Sequence, residues 1–293
     1  MNYAQSTTLS NGADFIRRLV DYDKHDLLPK TRFATLKIKN FYNMIPHDRI
    51  IEALGQFLSD TIVIGREQNL SIETIQQLTQ LVLRNNVFTY NDTIYRYVKG
   101  SPLSLPLTRT LGNIYLRQWQ RLFVKELADN SEFYGRYHDI AFLTWNAQIE
   151  KLEKLFNELD QQYPDIRITT SIGLNVHFLG AYIENQGEGH LYTHVHHEPT
   201  IPAYVLLYVI GHPRLIYRQW FQWALIRAVC YCSSTKNFDQ ERFYIELTFL
   251  ANGYSLNFVN LALNNFLPII LLSLLNLVLM IVSINHFVFD YFV

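Results

Sequence analysis

The stretch "FYGRYHDIAFLTWN", residues 133–146, is the most informative part of the sequence for the fold. Its aromatic and apolar residues surround a single carboxylate, that of Asp139. Apolar residues lie on both sides of His138 and Asp139, which predicts two short strands joined by a tight turn. An acidic side chain at the tip of such a hairpin is either a metal ligand or a turn residue that hydrogen-bonds to its own backbone. The rest of the sequence has to decide between these roles.

The composition predicts an intracellular globular protein with no strong overall charge. Of its 293 residues, 49% are hydrophobic and 17% are charged, and the formal net charge is -1. Nucleic-acid binding would therefore need a local basic groove. The cysteines, Cys230 and Cys232, fit a reducing compartment better than a disulfide. The start of the sequence lacks the apolar core of a signal peptide, so we expect a location in the cytoplasm or nucleus.

The C-terminal tail, residues 261–293, is strongly apolar. No Asp, Glu, Lys or Arg lies between Glu246 and Asp290. Residues 266–284, "FLPIILLSLLNLVLMIVSI", approach the ~20 apolar residues that a bilayer core requires. This segment predicts a C-terminal hydrophobic helix that anchors the chain in a membrane. A hydrophobic hairpin buried in the domain and the translation of a damaged reading frame are the alternatives.

The residues before the tail predict an α+β fold. Alternation in "FATLKIKNFYNMI" indicates a strand from Phe33, and "VFTYNDTIYRYV" indicates a hairpin around Asn91 and Asp92. The pattern of "PLTRTLGNIYLRQWQRLFVKEL" is that of one long amphipathic helix. A further helix, "NAQIEKLEKLFNELDQQYP", precedes a strand, "DIRITTS", and a second hairpin that turns at "NQGEG". Residues 214–260 have a helical pattern.

Several motifs occur in an order that resembles the reverse transcriptases of Penelope-like retroelements. They are "TLKIKNFYNMIP" (35–46), "KGSPLSLPLTRTLGNIYL" (99–116), "RYHDIAFLTWN" (136–146) and "FLGAYIENQGEGHLYTHVHHEP" (178–199), followed by "GHPRLIYRQWFQWALIRAVCY" and "NGYSLNFV". The resemblance covers about residues 14–260 and rests on motif order.

The resemblance implies a domain organisation and a partner. Residues 31–200 would form a reverse-transcriptase palm, an antiparallel sheet with helices on one face. Residues 1–30 would be a finger remnant, so that the fingers are partial, and residues 201–260 a helical thumb or helix-turn-helix-like segment. The implied partner is RNA or an RNA/DNA hybrid.

The family's catalytic site departs from its pattern in this sequence. The resemblance implies two Mg²⁺ ions held by three Asp side chains, and these positions carry Lys37, Asp139 and Ile140. A unit-charge pair at 4 Å contributes ~4 kcal/mol at an effective dielectric of ~20, so an anion replaced by a cation costs on the order of ten kcal/mol. Ile140 has no lone pair, and Asp139 alone is a weak metal ligand. We therefore predict lost polymerase activity. The alternative is a non-catalytic nucleic-acid-binding or membrane-associated protein on the same fold.

The resemblance also implies nucleic-acid-binding residues, namely Gly100, Ser101, Pro102, Arg136 and Tyr137. Packing within the hairpin is the alternative role for Arg136 and Tyr137. Further basic residues, which would follow a phosphate backbone or form a solvated helical face, are Lys99, Arg109, Arg117, Arg121 and Lys125.

A group of histidines suggests a metal site but lacks a full ligand set. The group consists of His190, His194, His196 and His197, and no cysteine lies near it in the sequence. Structural zinc needs about four converging ligands, and the family's hairpin requires no metal here. We expect no metal site from these histidines.

Overall fold

A computed structural model describes residues 7–62, 70–163, 165–187, 190–201, 205 and 214–274 of the protein. In chain order the elements are α1 (Gly12–Asp23), β1 (Arg32–Ile38), α2 (Phe41–Met44), α3 (His47–Ile62), α4 (Ile72–Arg84), β2 (Val87–Tyr90), β3 (Thr93–Arg96), α5 (Pro106–Trp119), α6 (Arg121–Asp129), β4 (Tyr134–Tyr137), β5 (Ile140–Trp145), α7 (Ile149–Gln162), β6 (Ile168–Gly173), β7 (Asn175–Phe178), β8 (Ala181–Asn185), β9 (Leu191–Val195), α8 (Arg214–Tyr231), α9 (Thr235–Ala251) and α10 (Leu256–Leu274).

These elements belong to two units. The first unit contains β1 to β6 and α2 to α7, and the second contains α1, β7 to β9 and α8 to α10. The prediction of an α+β protein with antiparallel sheets is confirmed.

The first unit is built on a four-stranded sheet in the order β4-β5-β1-β6. Strand β1 pairs antiparallel with both β5 and β6, so it occupies the interior of the sheet. Its apolar residues explain this position, because Ala34, Leu36 and Ile38 are buried on one face and Phe33 on the other. Towards its end the strand becomes polar at Lys37, which is exposed.

Helices cover one face of this sheet. Ala34, Leu36 and Leu143 of the sheet share a core with buried residues of the helices. These helical residues are Leu111, Leu116, Trp119, Phe123, Leu152, Phe156 and Leu159. In α7 the three buried residues are spaced at i, i+4 and i+7, the periodicity of a one-sided amphipathic helix. The core therefore fixes β1 and β5, whose ends carry the predicted site.

The single long helix predicted from residue 106 onward is wrong, because the structure interrupts it at Gln120 between α5 and α6. Gln120 is buried, and its Oε1 accepts hydrogen bonds from the Tyr134 hydroxyl (3.1 Å) and the Arg136 Nε (2.9 Å). Its Nε2 donates to the Thr7 hydroxyl at 3.2 Å. Because these partners are distant in sequence, helical periodicity could not reveal the interruption.

The hairpin predicted around Asn91 and Asp92 is confirmed. Strands β2 and β3 pair from Val87 opposite Arg96 to Tyr90 opposite Thr93. Asn91 and Asp92 have φ angles of 47° and 58°. Positive φ at both central residues is typical of a type I′ turn, which Asn and Asp tolerate better than most residues.

The second unit has a three-stranded antiparallel sheet in the order β7-β8-β9, together with a helical core. Helix α1 belongs to this unit, and Phe15 packs edge-on against Phe178 with ring centroids 4.9 Å apart. In the helical core, Phe221 of α8 packs against Phe249 of α9 at 4.8 Å. The assignment of residues 1–30 to a finger remnant stays a prediction.

The predicted apolar span of residues 266–284 lies only partly within the described chain. Helix α10 is described to Leu274, and residues 275–284 lie outside the described residues. Phe266, at the start of the span, is 2% exposed and packs in the core of the second unit. Within the described ranges, no helix has the length and apolar character needed to cross a membrane.

Candidate functional site

The structure brings together the three positions at which the family resemblance places metal-binding carboxylates. Lys37 of β1 lies directly opposite Ile140 of β5. The next backbone position, Ile38, donates its N–H to the Asp139 carbonyl at 2.8 Å. The backbone positions that carry an amine, a carboxylate and a hydrocarbon side chain therefore lie together at one end of the sheet.

A row of four side chains crosses the sheet at this end. Tyr137 lies opposite Ile140, Ile140 opposite Lys37, and Lys37 opposite Thr169. Directly opposed residues of antiparallel strands project from the same face. We call Tyr137, Ile140, Lys37 and Thr169 the palm row. Its members are exposed or half-buried.

The hairpin tip beside the palm row has a strained backbone. His138 has a φ angle of 51°, which is unusual for a residue that is not glycine. Arg136, only 3% exposed, donates from Nη1 to the His138 carbonyl at 2.7 Å. The same guanidinium donates to Gln120 Oε1 (2.9 Å) and to Asn113 Oδ1 (3.2 Å). Strained residues concentrate at functional sites, and here a buried arginine holds the strained turn in place.

Arg136 is buried among neutral acceptors. Burial lowers the pKa of its guanidinium from the ordinary value, since desolvation disfavours the charged form. The contacts with Gln120, Asn113 and the backbone show that Arg136 packs the hairpin. A role in contacting nucleic acid stays a prediction for both Arg136 and Tyr137.

The Asp139 carboxylate is half-buried and makes no hydrogen bond or ion pair with any residue that the structure describes. The turn interaction with its own backbone, one of the two roles considered for it, is therefore not formed. Burial is the main cause that raises the pKa of the Tyr42 phenol, and the negative charge of Asp139 is the second. Asp139 thus lies near Tyr42 of α2 with its oxygens available to a ligand.

A second cation reaches the hairpin tip from helix α5. The pKa of His138 is lowered, first by burial and then by the positive charge of Arg109. Burial raises the pKa of Tyr137, and Arg109 opposes that rise. Arg109 is exposed. Lys37 and Arg109 are therefore two solvent-accessible cations on the side of the sheet end that carries the hairpin tip.

The loop of Gly100 and Ser101 packs on the segment that carries Tyr42. Ser101 N–H donates to the Tyr42 carbonyl at 2.9 Å, and Gly100 N–H donates to the Ile45 carbonyl at 2.8 Å. Gly100 has a φ of 63°, and a Cβ there would lie 2.4 Å from the Tyr42 carbonyl oxygen. Ser101 is 3% exposed. Both residues have a structural role in positioning Tyr42, and their contact with nucleic acid stays a prediction.

Pro102 extends this loop towards α5. It is half-buried, and its carbonyl accepts a hydrogen bond from the Thr108 hydroxyl at 2.7 Å. The Thr108 hydroxyl also pairs with that of Ser101 at 2.7 Å. These contacts tie the loop to the first turn of the helix that carries Arg109.

The residues of the palm row do not fit a pair of magnesium ions. Mg²⁺ prefers oxygen ligands in octahedral geometry, and two ions need carboxylates from both strands. Among the described residues there is no group of three or more His, Cys, Asp or Glu side chains that could hold a metal ion. Lys37 also directs a positive charge to the position of an expected ligand.

Most of the grouped histidines pack against aromatic rings or a carboxylate in the second unit. His177 and His196 stack with ring centroids 3.7 Å apart, and His194 stacks on Tyr182 at 4.8 Å. His197 Nε2 lies 2.8 Å from the Glu241 carboxylate. Ring packing and this hydrogen-bonding contact therefore involve His194, His196 and His197 of the group.

Three residues that support the site were not recognised from the sequence. Tyr42 lies five positions after Lys37, within the quoted motif, and the Asp139 charge contributes to the raised pKa of its phenol. Asn113 and Gln120 both bind Arg136, and they lie seven positions apart on the predicted helix. Two polar residues separated by two helical turns on a partly apolar helix are the signal that could have identified them.

A β-hairpin whose tip meets the end of a central strand, in an antiparallel sheet with helices on one face, belongs here to a polymerase-like fold. The fold resembles telomerase, a reverse transcriptase. Telomerase from Candida albicans, in complex with a TWJ fragment of telomeric RNA, matches with a TM-score of 0.64 at 9% identity over 91% of this chain and 49% of that chain. Telomerase from Candida tropicalis, in complex with the same kind of fragment, matches with a TM-score of 0.55 at 11% identity over 85% and 43%.

These likenesses are of fold alone, and this chain spans less than half of each telomerase chain. No curated protein sequence matches it. Residues 204–264 match the family model of the animal helix-turn-helix domain. That range includes α8, α9 and the first part of α10, which supports the expected helix-turn-helix feature. The bounds 201–260 and the role of a thumb stay predictions.

Proposed function

We propose that this protein is a reverse-transcriptase-like domain of the Penelope-like type that binds RNA or an RNA/DNA hybrid at the palm row and does not extend it. The observation that carries the proposal is the pairing of Lys37 with Ile140 beside the lone carboxylate of Asp139. The motif order supports descent from a retroelement polymerase, and the polymerase-like fold agrees with it.

The loss of polymerisation follows from the charge at the palm row. Phosphoryl transfer by two metal ions requires a negative pocket that gathers divalent cations. Removing one stabiliser of transition-state charge costs ~2.7–4 kcal/mol, or 10²–10³ in rate. Here two ligands are replaced, and one replacement reverses the sign of the charge. The combined loss leaves no useful rate of nucleotide addition.

The same substitutions suit the palm row to a phosphate backbone. Lys37 and Arg109 are exposed, and neither forms an ion pair with any residue in the described part of the chain. Basic side chains that neutralise phosphates release counterions and provide most of the sequence-independent affinity for nucleic acid. In this proposal Lys37 contacts a phosphate directly where an active enzyme would use a metal ion.

Restoring the carboxylates tests the lost activity. The double variant Lys37→Asp/Ile140→Asp provides acidic groups at all three positions of the family pattern. We expect it to extend a DNA primer on an RNA template when Mg²⁺ or Mn²⁺ is present. The matched control Lys37→Asn/Ile140→Asn has the same shape without the charge and should give no extension. Equal extension by both double variants would contradict the proposal.

Binding is tested on the unmodified protein with a labelled RNA/DNA hybrid. The hybrid should shift in a native gel at low salt, and its affinity should decrease as the salt concentration increases, because the contacts are to phosphates. A folded protein that fails to bind the hybrid at low salt would refute the binding part of the proposal while leaving the lost activity intact.

A further inference from the structure

The hairpin of β2 and β3 is unusual because all eight residues of its two strands are exposed. Several of these are large and apolar. Ile94 is 72% exposed, Tyr90 64%, Tyr95 45% and Phe88 42%. A folded chain rarely leaves so many large apolar side chains together in water unless they bind something.

The aromatic residues share one face of this hairpin. Phe88 lies directly opposite Tyr95, and Tyr90 lies two positions after Phe88 on the same strand, so the three side chains project in the same direction. Tyr97 continues the ladder, because its N–H donates to the Asn86 carbonyl at 3.1 Å. We call Phe88, Tyr90, Tyr95 and Tyr97 the aromatic face.

The rings of this face are arranged in stacks. Phe88 and Tyr95 are nearly parallel, with centroids 5.5 Å apart and an interplanar angle of 20°. Tyr97 packs on Phe88 from another side, with centroids 5.0 Å apart. The exposure of Tyr90 and Tyr95 leaves ring surface available for a further flat group.

The charge around the hairpin favours an anionic partner. The segment from residue 84 to 99 contains Arg84, Arg96 and Lys99 but only one acid, Asp92, whereas the whole chain has a formal net charge of -1. Lys99, two residues after Tyr97, is exposed and makes no ion pair with a described residue. Arg96 pairs with Val87 and therefore projects from the other face of the hairpin. An aromatic face beside an unpaired cation is the combination that single-stranded nucleic acid requires.

We propose that the aromatic face of the β2–β3 hairpin stacks on the unpaired bases of a single strand, while Lys99 contacts its phosphates. This surface is distinct from the palm row. The inference shares with the proposed function only that the partner is nucleic acid. Because base pairing hides the ring surfaces, the aromatic face should prefer a single strand to a duplex of the same length.

The opposite face of the hairpin provides a matched control. It carries Val87, Thr89, Ile94 and Arg96, which alternate with the aromatic residues and are also exposed. Aliphatic side chains of this kind have no flat ring on which a base can stack. The two faces therefore separate base stacking from a general effect on the hairpin.

The experiment measures the binding of a fluorescent RNA strand of about 12 nucleotides to the full chain by anisotropy. The variant Tyr90→Ala/Tyr95→Ala should lose about tenfold or more in affinity, because each stacked base depends on a ring. The variant Val87→Ala/Ile94→Ala should stay within about twofold of the unmodified protein. An abasic strand of equal length should bind weakly and equally to all three proteins.

Photochemical cross-linking gives a second measurement that needs no variant. A strand containing 5-bromouracil should cross-link to peptides that include residues 88–97 of the unmodified protein. Equal strand affinity for both double variants, or cross-links confined to other segments, would overturn the inference. The inference would also be overturned if the unmodified protein self-associates and Tyr90→Ala/Tyr95→Ala loses this self-association but still binds the strand. The aromatic face would then bind a second copy of the chain.

This test separates the inference from the proposed function. The hybrid-binding assay is repeated with Tyr90→Ala/Tyr95→Ala and with Lys37→Ala. If Lys37→Ala weakens hybrid binding while Tyr90→Ala/Tyr95→Ala leaves strand binding unchanged, only the hairpin inference fails. If strand binding depends on the tyrosines while the hybrid does not bind, only the palm-row proposal fails.

Discussion

At the residue scale, the shape of the hairpin tip depends on Arg136. Its buried guanidinium connects the His138 carbonyl to Gln120 and Asn113. Removing it breaks three hydrogen bonds from a charged group, although Gln120 Oε1 still accepts from Tyr134 and Asn113 is exposed to water. Hydrogen bonds to a charged group contribute more to stability than those between neutral groups. The turn that carries Asp139 is therefore stabilised from inside the first unit.

We expect Arg136→Met to lower the free energy of unfolding by about 2–4 kcal/mol, since it retains the apolar volume but removes the charge-assisted hydrogen bonds to the His138 carbonyl, Gln120 and Asn113. Urea denaturation measures the change. Arg121→Met, at an exposed position, serves as the control and should stay within about 0.5 kcal/mol of the unmodified protein. Equal stability of the two variants would show that the guanidinium does not hold the turn.

His138 makes stability depend on pH. Burial and the charge of Arg109 lower its pKa in the folded protein below 6.5. The unfolded chain therefore binds the proton more readily, so this contribution to stability is present above the unfolded pKa and is lost as the pH falls through the folded pKa. His138→Asn, which tolerates the positive φ, should lose less stability than the unmodified protein on acidification from neutral pH.

The measurement for this prediction is the free energy of unfolding across that pH range. The control is His25→Asn, at an exposed histidine, which should retain the full dependence. If His138→Asn and the unmodified protein lose the same stability, His138 does not contribute to the effect.

A substitution at Gly100 tests whether the loop of Gly100 and Ser101 stabilises the segment that carries Tyr42. Gly100→Ala should destabilise the protein by about 2 kcal/mol or more, because the φ is positive and the new Cβ meets the Tyr42 carbonyl oxygen. At Gly180 the φ is also positive, at 74°, but a Cβ has no described atom within 4 Å. Gly180→Ala should therefore cost only about 1 kcal/mol. Thermal or urea unfolding compares the two, and a Gly100→Ala variant no less stable than Gly180→Ala would contradict the role of the loop.

At the scale of elements, helix α5 carries two arginines that the sequence alone does not distinguish, and the structure gives them different surroundings. Arg109 acts on the hairpin tip, whereas the Arg117 guanidinium lies 5.4 Å from the centre of the Phe57 ring of α3. We expect Arg109→Ala to reduce the slope of log affinity against log salt for the hybrid by about one, and Arg117→Ala to leave it unchanged. The opposite pattern would place the bound backbone on the α3 side of the helix.

The elements also show what local sequence could reveal. The β2–β3 hairpin was predictable because Asn91 and Asp92 determine the turn locally, and α7 was predictable because its apolar residues recur at helical spacing. The interruption at Gln120 was not, because it depends on Thr7, Tyr134 and Arg136. Motif order placed Lys37, Asp139 and Ile140 in one site, but the supporting role of Tyr42 required the three-dimensional contacts.

At the scale of the whole molecule, the chain combines a polymerase-like fold with a segment that matches the animal helix-turn-helix model. The first unit contains the register that brings Lys37 to Ile140, the strained turn at His138 and the buried Arg136. Our proposal is that this scaffold lacks the acidic groups that polymerisation needs.

Primer extension by the purified, unmodified protein tests this claim most directly. The assay uses an RNA template, a DNA primer and all four deoxynucleotides, with Mg²⁺ and with Mn²⁺ in separate reactions. The account predicts a primer of unchanged length in both, under conditions in which Lys37→Asp/Ile140→Asp extends it. Metal-dependent extension by the unmodified protein would contradict the account, because Asp139 alone would then be sufficient for catalysis.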